Sequence, residues 1–137
     1  MPDSGDDIDM NMYIAKAESC FDFRRGGRNS WYFDNYQAAF DAASELDKML
    51  SDADYFIEQG EYAQAAGIAM SVIEVIPRNY EEVDDSNGSL GGTFSMATDS
   101  MITILHCDQV SKKTKEKIFE WGKDGDGQLC LFWLWLR

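Results

Sequence analysis

The sequence predicts an all-α protein, with antiparallel helical hairpins stacked as a small α-α bundle of about six helices. Three observations carry this. Apolar residues recur at steps of three and four along most of the 137-residue chain, and no segment alternates as a half-buried strand requires. Only two prolines occur, Pro2 and Pro77, so helices can run long. Glycine-containing turns at 26–27, 60, 84–92 and 123–127 fall between the periodic segments.

Residues 7–24 place Ile8, Met12, Ala15, Ser19 and Phe23 at helical spacing, which predicts a first helix. Gly26 and Gly27 stop it inside the basic loop RRGGRNS. Asp34 and Gln37 then form a capping-box pattern, in which each side chain satisfies a backbone N–H that the first turn leaves open. Tyr36, Ala39, Phe40, Ala43, Leu46, Leu50, Ala53 and Ile57 follow as an apolar stripe, with Asp and Glu opposite and Gly60 as terminator.

A third helix is predicted over 61–76, with Tyr62, Ala65, Ala66, Ala69, Ile73 and Ile76 on one face and Pro77 as its stop. The missing bulk at 65, 66 and 69 lets it lie close against the second helix as a hairpin. Asn79 and Glu82 suggest another capping box and a short helix before the turn DDSNGSLGG at 84–92. Phe94, Ala97, Met101, Ile104 and Leu105 share a face in the next helix, and Ser111 is placed to cap KKTKEKIFEW. By length this is one helical domain over 1–137, with residues 1–6 expected to be disordered.

The hairpin motif Gly60-x-Tyr62-x2-Ala65, closing in Pro77, resembles the second half of a tetratricopeptide repeat. Ala53 and Phe56 fit the first half, whereas Met49 and Asp52 stand where that repeat carries Trp and Leu. The pattern does not recur one repeat length later. A wider stretch, from Cys20 to Leu105, is similar to the helical region that follows the zinc finger in bacterial SWIM zinc finger proteins. Residues 45–50, 60–65 and 84–92 carry that resemblance. It implies a helical scaffold only, because the C-x-C and C-x-H pairs of the finger itself are missing from this chain.

The net charge of −13, from 25 acidic against 12 basic residues, argues against direct nucleic-acid binding, which needs Lys and Arg to neutralise phosphates. Its simplest consequence is solubility. The acidic start MPDSGDDIDM is unlike a secretory signal, and the longest apolar run, 129–136, is too short for a membrane span. The three scattered cysteines, Cys20, Cys107 and Cys130, suit reduced thiols and a cytoplasmic setting.

No residue set points to catalysis. His106 and Cys107 are adjacent, but neighbours on a helix diverge by about 100°, so a base–nucleophile pair is not expected. The expectation is a buried thiol beside a helix-end imidazole. Two Asp/Gly turns give the centre of a calcium loop, with Asp85 and Asn87 around Gly88 and Asp124 and Asp126 around Gly127. Both lack the first Asp and the bidentate Glu, since Val83 or Gly122 and Phe94 or Trp133 stand there. Weak metal binding is the alternative to plain turn chemistry, and no cofactor is expected.

Two patches are candidates for a protein partner. Arg24, Arg25 and Arg28 precede Trp31, Tyr32 and Phe33, a mixture suited to stacking and to interface hot spots. The acidic residues Asp41, Glu45, Asp52 and Glu58 follow the outer face of the second helix. The tail QLCLFWLWLR holds more apolar bulk than one helix face buries. It is either sandwiched in the fold, laid against a second subunit or exposed. The sequence thus favours a non-catalytic scaffold that binds another protein.

Overall fold

The computed structural model describes residues 9–20, 36–76 and 89–123. They form five helices: α1 (Met10–Glu18), α2 (Tyr36–Glu58), α3 (Tyr62–Val75), α4 (Ser89–Leu105) and α5 (Lys112–Lys123). The all-α prediction holds. Among the described residues there is no strand, and no helix is long and apolar enough to cross a membrane. The predicted helix around Asn79 and Glu82, Asp34 of the first capping box, residues 1–6 and the apolar tail lie outside the described residues.

α3 is the axis of the fold. Every residue from Tyr62 to Val75 is buried except Gln64 and Glu74, and α1, α2, α4 and α5 all pack on it. A helix apolar on all sides is stable only when surrounded, and this one is. The two exceptions are each tied to a neighbour by an aromatic donor. The Tyr13 hydroxyl of α1 donates to Gln64 Oε1, and Trp121 Nε1 of α5 donates to Glu74 Oε1 at 3.1 Å. Ala65, Ala66 and Ala69 are fully buried, as their small size predicts.

The reversal between α2 and α3 follows from Gly60. Its φ of 78° lies in the left-handed region that costs side-chain-bearing residues energy. There the Glu61 N–H reaches Phe56 O at 2.8 Å and the Gly60 N–H reaches Ile57 O at 3.1 Å. These two bonds make a Schellman motif and satisfy the last carbonyls of α2. At the far end Ile76 is extended, with ψ 126°, the conformation favoured before a proline.

α2 and α4 run side by side in the same direction. Thr93 lies against Ala43 and Asp47, while Leu50 and Asp54 further along α2 share a groove with Met96, Ser100 and Thr103 of α4. Inside the bundle α4 buries Leu90, Ala97, Met101 and Ile104. α5 is capped as predicted, with Ser111 Oγ accepting from the Thr114 N–H at 3.1 Å.

Three expectations are corrected. On α1, Met12, Ala15 and Ser19 are exposed, and the inward face is Tyr13 and Ala17 with Met10 and Ile14 beside them. This phase wins because it turns an aromatic and an isoleucine inward, burying more apolar area than Met12 alone would. On α2, Phe40 is 48% exposed rather than part of the buried stripe. An ideal helix puts it about 100° from the Leu46–Leu50 centre of that stripe. Finally, residues 89–92 belong to α4 rather than to the predicted turn. Full burial of Leu90 and near-full burial of Thr93 offset the helix cost of Gly91 and Gly92, about 1 kcal/mol each.

Candidate interaction surface on α2 and α4

The outer face of α2 is where the sequence-predicted acidic residues come together. With an ideal turn of 100° per residue, Phe40, Asp41, Glu45, Lys48, Asp52, Tyr55 and Glu58 fall within about 140° of one another. All are exposed. Two of the carboxylates meet cations: Lys48 Nζ lies 2.9 Å from Glu45 Oε1, and Lys16 Nζ of α1 lies 3.9 Å from Asp52 Oδ2. The bond to Glu45 holds the Lys48 ammonium above its ordinary pKa. These solvated pairs orient side chains more than they stabilise the fold.

Among the acids on this face stand two large apolar side chains, Phe40 at 48% and Tyr55 at 58% exposure. The Tyr55 ring meets that of Phe56 edge-on, with centroids 6.0 Å apart. Phe40 and Tyr55 lie fifteen residues apart, about 22 Å along an ideal helix.

One border of the face adjoins α4. There Leu50 and Asp54 of α2 line a groove of about 210 Å³ together with Met96, Asp99, Ser100 and Thr103 of α4. Leu50 is 1% exposed and forms an apolar floor, while Met96 is 43% exposed and forms a wall. Ser100 Oγ donates to Met96 O at 3.2 Å and Thr103 Oγ1 to Asp99 O at 3.0 Å. Sequence reasoning did not identify this groove. Which helix lies beside Leu50 and Asp54 is a tertiary fact that no local pattern encodes.

The thiols differ from one another. Cys107 is half-buried rather than buried, as the sequence suggested, and His106 is exposed. The Tyr62 hydroxyl lowers the Cys107 pKa, helped by the backbone N–H groups of Gln109 and Val110 and opposed by burial and by Asp108. That hydroxyl lies 3.0 Å from Gln109 Oε1, so the Cys107 thiolate and Gln109 compete for its one proton. Cys20 is shifted the other way: burial raises its pKa, the Glu45 carboxylate adds to this, and Lys16 opposes it. Burial and Asp9 also raise the pKa of Tyr13.

Arg24, Arg25, Arg28, Trp31 and Tyr32 lie outside the described residues, as do Asp85, Asn87, Asp124 and Asp126. α4 begins at Ser89, so residues 89–92 of the first Asp/Gly segment are helical. Among the described residues no group of three or more His, Cys, Asp or Glu side chains is placed to hold a metal ion. Comparison of the chain with family models, with curated proteins and with solved structures finds no match.

Proposed function

We propose that the chain is a non-catalytic helical scaffold that binds another protein through the outer face of α2. One observation carries the reading: Phe40 and Tyr55 stand exposed among Asp41, Glu45, Asp52 and Glu58 on a single helix face. Burying two aromatics on a partner would supply the main apolar gain, and the surrounding acids would select a partner of opposite charge. In this reading the α2–α3 hairpin is a tetratricopeptide-like element. The stack then corresponds to the helical region of SWIM zinc finger proteins without the finger. The basic, aromatic segment of Arg24, Arg25, Arg28, Trp31 and Tyr32 is a second contact patch in the same role.

Site-specific photocrosslinking tests it. A photoreactive phenylalanine analogue in place of Tyr55, in the full chain in its host cells, is expected to give a discrete protein adduct. The same group in place of Lys115 on α5 serves as the control. Equal adduct patterns from both positions, or no adduct from Tyr55 or Phe40, would overturn the reading.

A further inference from the structure

We infer that α1 is a detachable strap, which unlatches from α3 as one unit while α2, α3 and α4 stay folded. This opening does not require the partner reading above.

α2, α3 and α4 each pack on the other two and form a closed triangle, whereas α1 packs chiefly on α3 from outside it. Lifting α1 away therefore leaves the triangle's own contacts whole. With nine residues, α1 is also too short to keep helical shape in water by itself. Its undocking and its unfolding are one event.

The strip of α3 beneath the strap tolerates exposure. The Tyr13 hydroxyl donates to Gln64 Oε1, which fixes the side of α3 that faces α1. An ideal helix puts Gly67, Ile68, Ser71 and Val75 within about 60° of Gln64. The opposite side, with Ala66, Ala69 and Ile73, is apolar and stays inside the triangle. Opening orphans neither polar side chain of the strip. Ser71 Oγ donates to Gly67 O of its own helix at 2.7 Å, and Gln64 is only half-buried and can turn to water. The penalty of stranding a buried polar group does not arise there.

On the strap itself Tyr13 and Ala17 are buried, with Met10 and Ile14 partly so. Lys16 Nζ lies 3.9 Å from Asp52 Oδ2 between two solvated side chains and adds little hold. An element with so few buried side chains belongs to the low end of local stability. Its release presents Ile68 and Val75 to solvent and takes Lys16 from Asp52, so the strap governs access to an apolar strip on the central helix.

Native-state hydrogen exchange of the full-length, ¹⁵N-labelled chain at low urea concentrations tests this. The amides of residues 14–18, bonded within α1, are expected to share one opening constant. It should exceed that of the α3 amides by about tenfold or more, and depend less on urea because less surface is exposed. Two variants separate local from global opening. Thr93→Val weakens the α2–α4 contact and should speed exchange in α3 by about fivefold while leaving α1 unchanged. Tyr13→Phe removes the latch and should speed α1 and α3 alike, by about fivefold, since both openings break that bond.

Equal constants and equal urea dependence in α1 and α3 would mean that α1 leaves only with the whole bundle, and would overturn the inference. So would an acceleration of α1 by Thr93→Val that matches that of α3. Protection that decays evenly from the middle of α1 to its ends would be fraying, and α1 amides as fast as an unfolded peptide would be no docked strap; either result overturns it too. None of these outcomes bears on the Tyr55 adduct.

Discussion

The hydroxyl of Thr93 donates to Asp47 Oδ1 at 2.7 Å, joining α4 to α2. Thr93 is 1% exposed, and the nearby Ala43 carbonyl is 3.5 Å away, so its one proton belongs to Asp47. Further along both helices, Asp54 and Met96 line the groove.

Thr93→Val keeps the shape and removes the donor. It is expected to lower stability by about 1–2 kcal/mol, since bonds to ionised acceptors exceed neutral ones but Asp47 can still turn toward water. Urea unfolding of Thr93→Val, Asp47→Asn and the double variant measures the coupling. Additive losses would show that the pair does not act as a unit.

The two described glycines with open surroundings should respond with opposite sign. A Cβ at Gly60 or at Gly92 would meet nothing within 4 Å, so neither substitution is opposed by packing. Gly60 has φ 78°, and Gly60→Ala is expected to cost about 1–2 kcal/mol of backbone strain. Gly92 is helical and exposed, and Gly92→Ala is expected to gain about 0.5–1 kcal/mol of helix propensity. Thermal unfolding of both variants checks the pair; equal signs would contradict the assigned backbone conformations.

Much of this was legible in the chain because local chemistry and burial agreed. Gly60, Pro77 and Ser111 mark helix ends by mechanisms that need no tertiary partner. The alanines at 65, 66 and 69 disclosed a crowded helix. The first helix misled because two phases competed, and Met10, Tyr13, Ile14 and Ala17 already showed the i, i+3, i+4, i+7 spacing of the phase that wins. Gly91 and Gly92 concealed the start of α4, since their turn signal is local whereas the burial of Leu90 is not. The groove could not be read at all, because its lining comes from two helices whose adjacency no local pattern encodes.

The two described cysteines are expected to titrate in opposite directions from an ordinary thiol. Tyr62 and two backbone N–H groups favour the Cys107 thiolate, so its alkylation by iodoacetamide should rise at lower pH than that of a model thiol. Burial and Glu45 disfavour the Cys20 thiolate, so its reaction should rise at higher pH. Peptide-resolved mass spectrometry across a pH series separates the two. Tyr62→Phe removes the first cause and should move the Cys107 profile upward. An unmoved profile would mean that the hydroxyl does not hold this thiol.

Close packing of α3 gives the most exacting test of the fold. Ala66 and Ala69 are fully buried in a helix that touches four others. A leucine at either position must push side chains off their rotamers or helices apart, at a cost of about 1–3 kcal/mol. Ala15 on α1 is exposed, and Ala15→Leu adds the same atoms with no neighbour to displace, so it should change stability by less than about 0.5 kcal/mol. Urea midpoints for the three variants make the comparison at constant chemistry. If Ala66→Leu and Ala69→Leu unfold at the midpoint of Ala15→Leu, space exists beside α3 and the bundle is not assembled around it.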